Sequence, residues 1–94
     1  MMKLSLIQTQ KIDSTIYRYY LTETTLAYMA DAVVYGVGIR RSEESIVLVD
    51  NVDFQKERLI EFIMELAKGL VLPENLKEIC DDYVDMLEFR GIVK

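Results

Sequence analysis

Histidine is absent from this chain of 94 residues, and so is tryptophan, while cysteine and proline each occur once. Without histidine the chain lacks a common zinc ligand and the usual general base beside a nucleophilic serine or cysteine. A single cysteine, Cys80, excludes an internal disulfide and predicts a reducing compartment. We therefore expect no catalytic residue, no metal site and no bound cofactor, and hence a protein that is not an enzyme.

Long apolar runs are missing as well. No stretch approaches the roughly 18 apolar residues of a membrane span. At the start of the chain Lys3, Ser5 and Gln8 interrupt the apolar side chains, which is not the pattern of a signal peptide. The sequence therefore predicts a cytoplasmic protein that does not bind membranes.

Glycine is scarce, at four residues, and no segment has the composition of a linker. The chain is 51% hydrophobic and 29% charged, which is far from the composition of disordered proteins. A chain of this length holds one core, so residues 1–94 are predicted to form a single domain. The hydrophobic fraction is high for so small a body, which suggests apolar surface that another subunit covers.

The net charge of −5 is unevenly distributed along the chain. Residues 1–41 carry five basic and three acidic side chains, whereas residues 42–94 carry six basic and thirteen acidic ones. Such a body repels a phosphate backbone overall, and the basic and aromatic signature of RNA-binding sheets is missing. Nucleic acid is therefore not expected as a partner.

The first half of the chain has the period of strands. Asp13-Ser14 supplies turn chemistry, and the charged segment RRSEE supplies another turn. Residues 24–31 fit either one helical turn or a mobile loop. Four strands are predicted, at residues 3–12, 15–23, 32–39 and 45–50. Because every connection is short, they are expected to form an antiparallel meander.

The second half changes to a helical period. Asp53 is a good N-cap for a helix at 54–68, which Gly69 is placed to end in the left-handed conformation. Pro73 suits the first position of a second helix, and Gly91 offers its stop. The apolar stripe of that helix consists of Leu76, Ile79, Cys80, Tyr83, Val84 and Leu87. The predicted fold is a two-layer α+β domain of order ββββαα, in which an antiparallel helix hairpin covers one face of the sheet.

The order of several segments is informative. The strand YGVGI, the strand IVLVDNV after a charged turn, a helix ending in AKG, a proline and the segment LKEICDDYVDML follow one another. Across residues 17–90 this succession resembles a domain-of-unknown-function family of small uncharacterised cytoplasmic proteins of Gram-positive bacteria. The resemblance implies a compact cytoplasmic domain with no assigned activity and no known catalytic residues.

Gly36 and Gly38 form a Gly-x-Gly after an apolar run, the usual place for a phosphate-binding loop. Such a loop needs a helix directly after it, because the N–H groups at the helix end hold the phosphate. Here the glycines lie inside a predicted strand, and a turn and another strand follow. We interpret them as bare positions on the strand face of Val34 and Arg40, which admit a bulky neighbour such as an aromatic ring or a helix backbone.

The predicted second helix is acidic on the side away from its apolar stripe, at Glu74, Glu78, Asp81, Asp82, Asp85 and Glu88. Carboxylates along one straight helix diverge, which disfavours both a metal site and a half-buried acid–base pair. We interpret this side as a solvated face, with a docking face for a basic partner as the alternative. Cys80 lies in the apolar stripe, so a buried and unreactive thiol is expected.

Tyrosine and arginine side chains collect in the strand half. Tyrosines on a sheet commonly pack against it and send their hydroxyls to the rim. Tyrosine and arginine also dominate the hot spots of protein interfaces. The candidate interaction surface therefore consists of Tyr17, Arg18, Tyr20, Tyr28, Tyr35 and Arg40.

The third and fourth predicted strands are apolar on both faces. In the fourth, Ile46 and Leu48 share one face and Val47 and Val49 share the other. Because two helices cover only one face, a second subunit is expected on the other, by face packing or by edge pairing. The sequence thus predicts a non-enzymatic protein-interaction or regulatory module that works as a homo-oligomer, most simply a homodimer. The alternative is a small-ligand-binding domain, with its pocket between the helix hairpin and the sheet or at the dimer seam.

Overall fold

The computed structural model describes residues 2–89. Its elements are β1 (Met2–Ile12), β2 (Thr15–Leu26), β3 (Ala32–Arg41), β4 (Val47–Asp53), α1 (Lys56–Lys68) and α2 (Leu76–Phe89). The strands form one four-stranded antiparallel sheet in the order β1-β2-β3-β4. The predicted ββββαα order and α+β class are confirmed. In this part of the chain, neither helix has the length and apolar character needed to cross a membrane.

The β2–β3 hairpin is longer than predicted. β2 continues to Leu26 because its last three residues remain paired with the first three residues of β3. A 3-10 turn, Ala27–Met29, follows, and Ala30 and Asp31 then reverse the chain with φ angles of 54° and 60°. Of the two predictions for residues 24–31, the single helical turn is the closer one.

β4 covers Val47–Asp53 rather than the predicted 45–50, because a bulge lengthens it. Tyr35 pairs with Asp53 and Val37 pairs with Val49, which leaves three residues of β4 opposite the single residue Gly36. A bulge of this kind bends its strand and increases the local twist.

The two glycines of β3 admit close neighbours, as predicted, but these neighbours are not an aromatic ring or a helix. A Cβ atom at Gly36 would lie 2.5 Å from the Thr22 hydroxyl oxygen and 2.9 Å from the Asp50 Cα, and closer still to the Val49 carbonyl oxygen. A Cβ atom at Gly38 would lie 2.8 Å and 3.0 Å from the ends of the Leu48 and Ile46 side chains. The adjacent strands therefore press on both positions, and the bulge makes the approach at Gly36 a backbone contact.

The sheet has two unlike faces. One face carries buried side chains from β2 and β3, and we call it the core face: Tyr19, Leu21, Val37 and Ile39. Successive strand residues point to opposite sides. The other side, which we call the open face, carries Leu4, Leu6, Tyr20, Gly38 and Leu48.

Both helices contribute side chains to the same hydrophobic core as the core face. These are Leu59, Ile63, Leu66 and Ala67 from α1, and Leu76, Cys80, Tyr83 and Leu87 from α2. Their spacing of three and four residues is the predicted helical stripe. The hydroxyl of Tyr19 donates a hydrogen bond to the Val71 carbonyl at 2.9 Å, which ties the centre of the sheet to the segment between the helices.

The start of α1 differs from its prediction. The helix begins at Lys56 rather than Phe54, because Asp53 remains the last residue of β4. The carboxylate of Asp53 accepts a hydrogen bond from the Gln55 N–H at 2.9 Å. Asp53 therefore closes the turn before the helix instead of capping the helix itself.

The end of α1 is also corrected. Gly69 has a φ of −86°, and it is Leu70 that adopts the left-handed conformation, with a φ of 51°. The N–H groups of Leu70 and Val71 donate to the carbonyls of Ala67 and Leu66 at 3.1 Å and 2.9 Å. This is the Schellman pattern, with leucine in the position that glycine usually takes.

The second helix begins three residues later than predicted. Pro73 opens a separate 3-10 turn, Pro73–Asn75, which leads directly into α2 at Leu76. The missing N–H of Pro73 is not needed at the start of this turn. The predicted stop at Gly91 lies outside the described residues.

Candidate functional site

An apolar row crosses the open face. Leu6 pairs with Tyr20, Tyr20 with Gly38, and Gly38 with Leu48, so the row spans all four strands. Leu6 keeps 54% of its surface exposed, and Leu4 on the same strand keeps 46%. Two exposed leucines beside an aromatic ring form a continuous apolar surface of the kind that binding sites use.

On β2 and β3, the charged side chains of the open face lie on one side of this row. Arg18 and Arg40 are opposite each other on β2 and β3, two residues from Tyr20 and Gly38. On the other side of the row, Thr22 and Gly36 form the equivalent pair and carry no charge. The β2 and β3 part of the open face therefore has arginines on one side of the apolar row and uncharged residues on the other.

A cleft of about 450 Å³ opens beside the row. Its lining consists of Leu4, Tyr20, Arg40, Glu43, Glu44, Ser45 and Ile46. The Arg40 guanidinium donates to the Glu44 carbonyl at 2.9 Å and lies 3.5 Å from the Glu43 carboxylate. The loop between β3 and β4 thus holds this arginine at the edge of the open face.

β1 is an edge strand, and none of its residues is buried. It carries Lys3 and Lys11, and its pairing with β2 shifts register at Ile7. Lysines and bulges are the usual devices that prevent an edge strand from pairing with another chain. The edge of β1 is therefore a poor site for sheet extension, although its side chains contribute to the open face.

The structure divides the six residues of the predicted interaction surface. Arg18, Tyr20 and Arg40 lie together on the open face. Tyr17 and Tyr35 belong to the opposite side, where they pack partly against the core. Tyr28 is mostly exposed on the 3-10 turn after β2. Leu4 and Leu6 belong to the open face as well, and sequence reasoning missed them because loose alternation in β1 did not show which face they share with Tyr20.

A buried ion pair lies where β4, α1 and α2 meet. Asp53 is only 2% exposed. Its carboxylate accepts hydrogen bonds from Arg58 Nη2 at 2.6 Å and Nε at 2.8 Å, and from the Tyr83 hydroxyl at 2.7 Å. The N–H of Gln55 is the fourth donor to this carboxylate. The sequence predicted Asp53 only as a helix cap. Tyr83, in the apolar stripe of α2, could have indicated a partner for it, because a buried tyrosine hydroxyl needs a hydrogen bond.

These contacts fix the charges of the three groups. Burial alone raises the pKa of Asp53, but the hydrogen bonds from Arg58, Gln55 and Tyr83 outweigh it and lower the pKa below its ordinary value of 3.8. The hydrogen bond to Asp53 raises the pKa of Arg58. Burial raises the pKa of Tyr83, and the hydrogen bond to Asp53 raises it further. None of the three changes its charge near neutral pH, so the cluster is built to hold elements together rather than to transfer protons.

Cys80 is buried in the core, as predicted. Burial raises the pKa of Cys80 to about 12, and the neighbouring Asp81 adds to this shift. Since the thiolate is the reactive form, this side chain is not a nucleophile at neutral pH. Within residues 2–89, no three side chains of the types that bind metals lie close enough to hold an ion.

Comparison with protein-family models found a match that covers residues 2–86. The chain belongs to the family of unknown function DUF6514. Membership in DUF6514 confirms the resemblance to a family of unknown function, whereas a Gram-positive source and a cytoplasmic location stay predictions. Comparisons with curated proteins and with solved structures found no match.

Proposed function

We propose that this DUF6514 domain is a non-enzymatic interaction module that forms a homodimer through its open face. The exposure of Leu4 and Leu6 beside Tyr20 is the observation that carries the proposal. We also propose that α1 and α2 form the predicted antiparallel hairpin over the core face, since both contribute to the core beneath it. The open face is then the sheet face that remains for a second copy to cover.

The distribution of charge favours a second copy as the occupant. A two-fold axis along the apolar row places Leu6 of one copy against Leu6 of the other, and Tyr20 against Tyr20. The same axis reverses the strand direction, so that Arg18 of one copy faces the neutral side of the row, near Thr22, in the other. The two Arg18 side chains then do not face each other, which removes one source of repulsion between the copies.

The available area and the strand edges also favour association through the open face. The two longer dimensions of the molecule are 44 Å and 29 Å, which leaves room on one face for the about 800 Å² per partner of a standard interface. Lys3, Lys11 and the bulge at Ile7 argue against pairing through the β1 edge. Face packing is therefore the proposed mode, with the strands of the two sheets roughly aligned.

Light scattering after size exclusion at micromolar concentration tests the proposal, and we expect twice the chain mass of 10.9 kDa. Leu6→Lys is expected to shift the protein towards monomers. Ile12→Lys is the matched control, because Ile12 lies on the same strand with 47% exposure but belongs to the opposite face. Burying the exposed half of Leu6 contributes about 1 kcal/mol per copy, so losing it twice weakens the dimer about 30-fold. A wild-type monomer at these concentrations would sink the proposal.

A second candidate function is supported by the cleft at Arg40. Its volume of about 450 Å³ is within the range of ligand pockets, and Leu4 and Tyr20 belong to both the cleft and the dimer face. A second copy would close this cleft, which gives a ligand site at the dimer seam. A thermal-shift screen with small metabolites tests it, since a ligand at 100 times its dissociation constant adds about 2.7 kcal/mol of stability. Hits that persist in Arg40→Met would place the ligand elsewhere.

A further inference from the structure

An apolar groove of about 400 Å³ runs between α1 and α2 on the surface of the molecule. The rings of Phe62 and Tyr83 stack at its centre, with 4.1 Å between centroids and 24° between planes. Ile79 and Met86 extend this apolar floor along α2. The groove is separate from the open face, whose residues all belong to the strands and the loop before β4.

The groove has the length of two helical turns. Along α1 it extends from Arg58 to Glu65, and along α2 from Ile79 to Met86. Seven residues of helix span about 10 Å. A partner helix that presents apolar side chains at positions i, i+3 or i+4, and i+7 covers this length. Ridges of such a helix fit the furrow between two neighbouring helices.

The rim of the groove is acidic. Glu61, Glu65 and Asp82 line it, and among the described residues none of the three forms a salt bridge. Among the described residues, Arg58 is the one cation in the lining, and its guanidinium is bound to the buried carboxylate of Asp53. An occupant without positive charge would desolvate these carboxylates without compensation, which disfavours binding.

We propose that this groove binds a basic amphipathic helix of a partner protein. The apolar stripe of that helix packs on Phe62 and Tyr83, and its flanking lysine or arginine side chains pair with Glu61, Glu65 and Asp82. A second copy of this chain is the wrong occupant, because two grooves placed face to face would bring six of these carboxylates together. The inference goes beyond the proposed dimer and does not depend on it.

The test uses a dye-labelled synthetic peptide of leucine and lysine, designed as a two-sided helix, and measures its dissociation constant by fluorescence anisotropy with the full chain. The groove variant is Glu61→Gln/Glu65→Gln/Asp82→Asn. The matched control is Asp50→Asn/Asp81→Asn/Asp85→Asn, which removes the same number of charges from the cleft between β4 and α2. Since exposed ion pairs contribute about 0.2–1 kcal/mol each, we expect the groove variant to bind about tenfold more weakly and the control to stay within about twofold.

A second variant tests the apolar floor. Met86 is partly exposed, so Met86→Gln should fold, yet it places an uncharged polar amide beside the Phe62 and Tyr83 rings. If Met86→Gln binds the peptide as well as the wild type does, the apolar floor is not used and the inference is overturned. A scrambled peptide of the same composition must bind more weakly, because it lacks the apolar stripe.

Further outcomes also overturn the inference. Equal weakening by the control variant would show attraction by net charge alone, and no binding at about 1 mM peptide would show no site. If the NMR chemical shifts of amide groups in the groove change as the protein concentration rises without peptide, a second copy is the occupant. Leu6→Lys, in which the proposed dimer face is disrupted, should bind the peptide as well as the wild type does. This measurement separates failure of the groove inference from failure of the proposed dimer.

Discussion

Replacing Arg58 by methionine tests whether the buried ion pair holds the end of β4 to both helices. The variant keeps most of the side-chain volume but leaves the buried carboxylate of Asp53 with two neutral donors, the Gln55 N–H and the Tyr83 hydroxyl. Removing one partner of a buried pair costs about 3–5 kcal/mol. Because the Arg58 side chain is 31% exposed and that of Asp53 is fully buried, water compensates part of this, and we expect about 2–3 kcal/mol.

This loss is large for so small a domain, whose free energy of unfolding is about 5–15 kcal/mol. It corresponds to a fall of roughly 10–20 °C in melting temperature. Urea unfolding followed by circular dichroism gives the free energy, and Lys77→Met serves as a control, since the Lys77–Asp81 pair is exposed and should contribute little that is measurable.

The double variant Asp53→Asn/Arg58→Met makes the reasoning refutable. Removing the carboxylate charge as well should recover part of the loss, so the two substitutions together should cost at least about 1 kcal/mol less than their sum. A cost for Arg58→Met below about 1 kcal/mol, or simple additivity with Asp53→Asn, would show that the pair does not hold the elements together.

Three further predictions concern stability and reactivity. The folded-state pKa of Asp53 lies below the unfolded-state value of 3.8. The contribution of Asp53 to the free energy of unfolding is therefore present above pH 3.8 and is lost as the pH falls through the lower folded-state pKa. The urea midpoint of the wild type should therefore fall more steeply than that of Asp53→Asn as the pH is lowered below 3.8, and parallel profiles would contradict the assignment. Gly36→Ala should destabilise the fold by about 1–3 kcal/mol, and Gly38→Ala should destabilise it by less. An added methyl group meets strand backbone at Gly36 but only the movable ends of the Leu48 and Ile46 side chains at Gly38. If urea unfolding gives the reverse order, the bulge adjusts to the methyl group more easily than these side chains do. Cys80 should react with a thiol reagent at pH 8 only as fast as the protein opens, since burial raises the pKa of Cys80 to about 12; complete modification of the native protein within seconds would contradict this.

Local patterns were sufficient to predict the order of elements. The alternation of Tyr17, Tyr19 and Leu21 and the three- and four-residue spacing of α2 depend on neighbouring residues alone, and the structure has both. Pro73 likewise acts through its own ring and its missing N–H.

Features that join distant segments could not be predicted in this way. The bulge in β4 arises where the strand must pass Gly36 and still bring Asp53 to the start of α1. The left-handed conformation at Leu70 is set by hydrogen bonds to carbonyls of the helix it follows, although leucine itself disfavours it. Both depend on tertiary geometry that overrides the local preference of the residue.

The candidate surfaces show the same division. Alternation along each strand predicts that Arg18 and Tyr20 share a face of β2 and that Gly38 and Arg40 share a face of β3, and the structure has both. It does not show that these two faces join or that β1 adds Leu6 to their row, because this requires the register between strands. The groove between α1 and α2 depends on the stacking of Phe62 on Tyr83, residues 21 positions apart on different helices.

The exposed character of β1 has a consequence for how the domain opens. No side chain of β1 is fully buried; beyond its pairing with β2, Ile7 packs partly against the core and Gln10 donates a hydrogen bond to the Ala67 carbonyl, so we expect β1 to detach at a lower free energy than the β2–β3 core. Amide protons of β1 should then exchange with solvent long before those of β3 in a dilute sample. Burial of Leu4 and Leu6 against a second copy would slow this exchange as the protein concentration rises, so that the first strand reports, residue by residue, whether the open face is occupied.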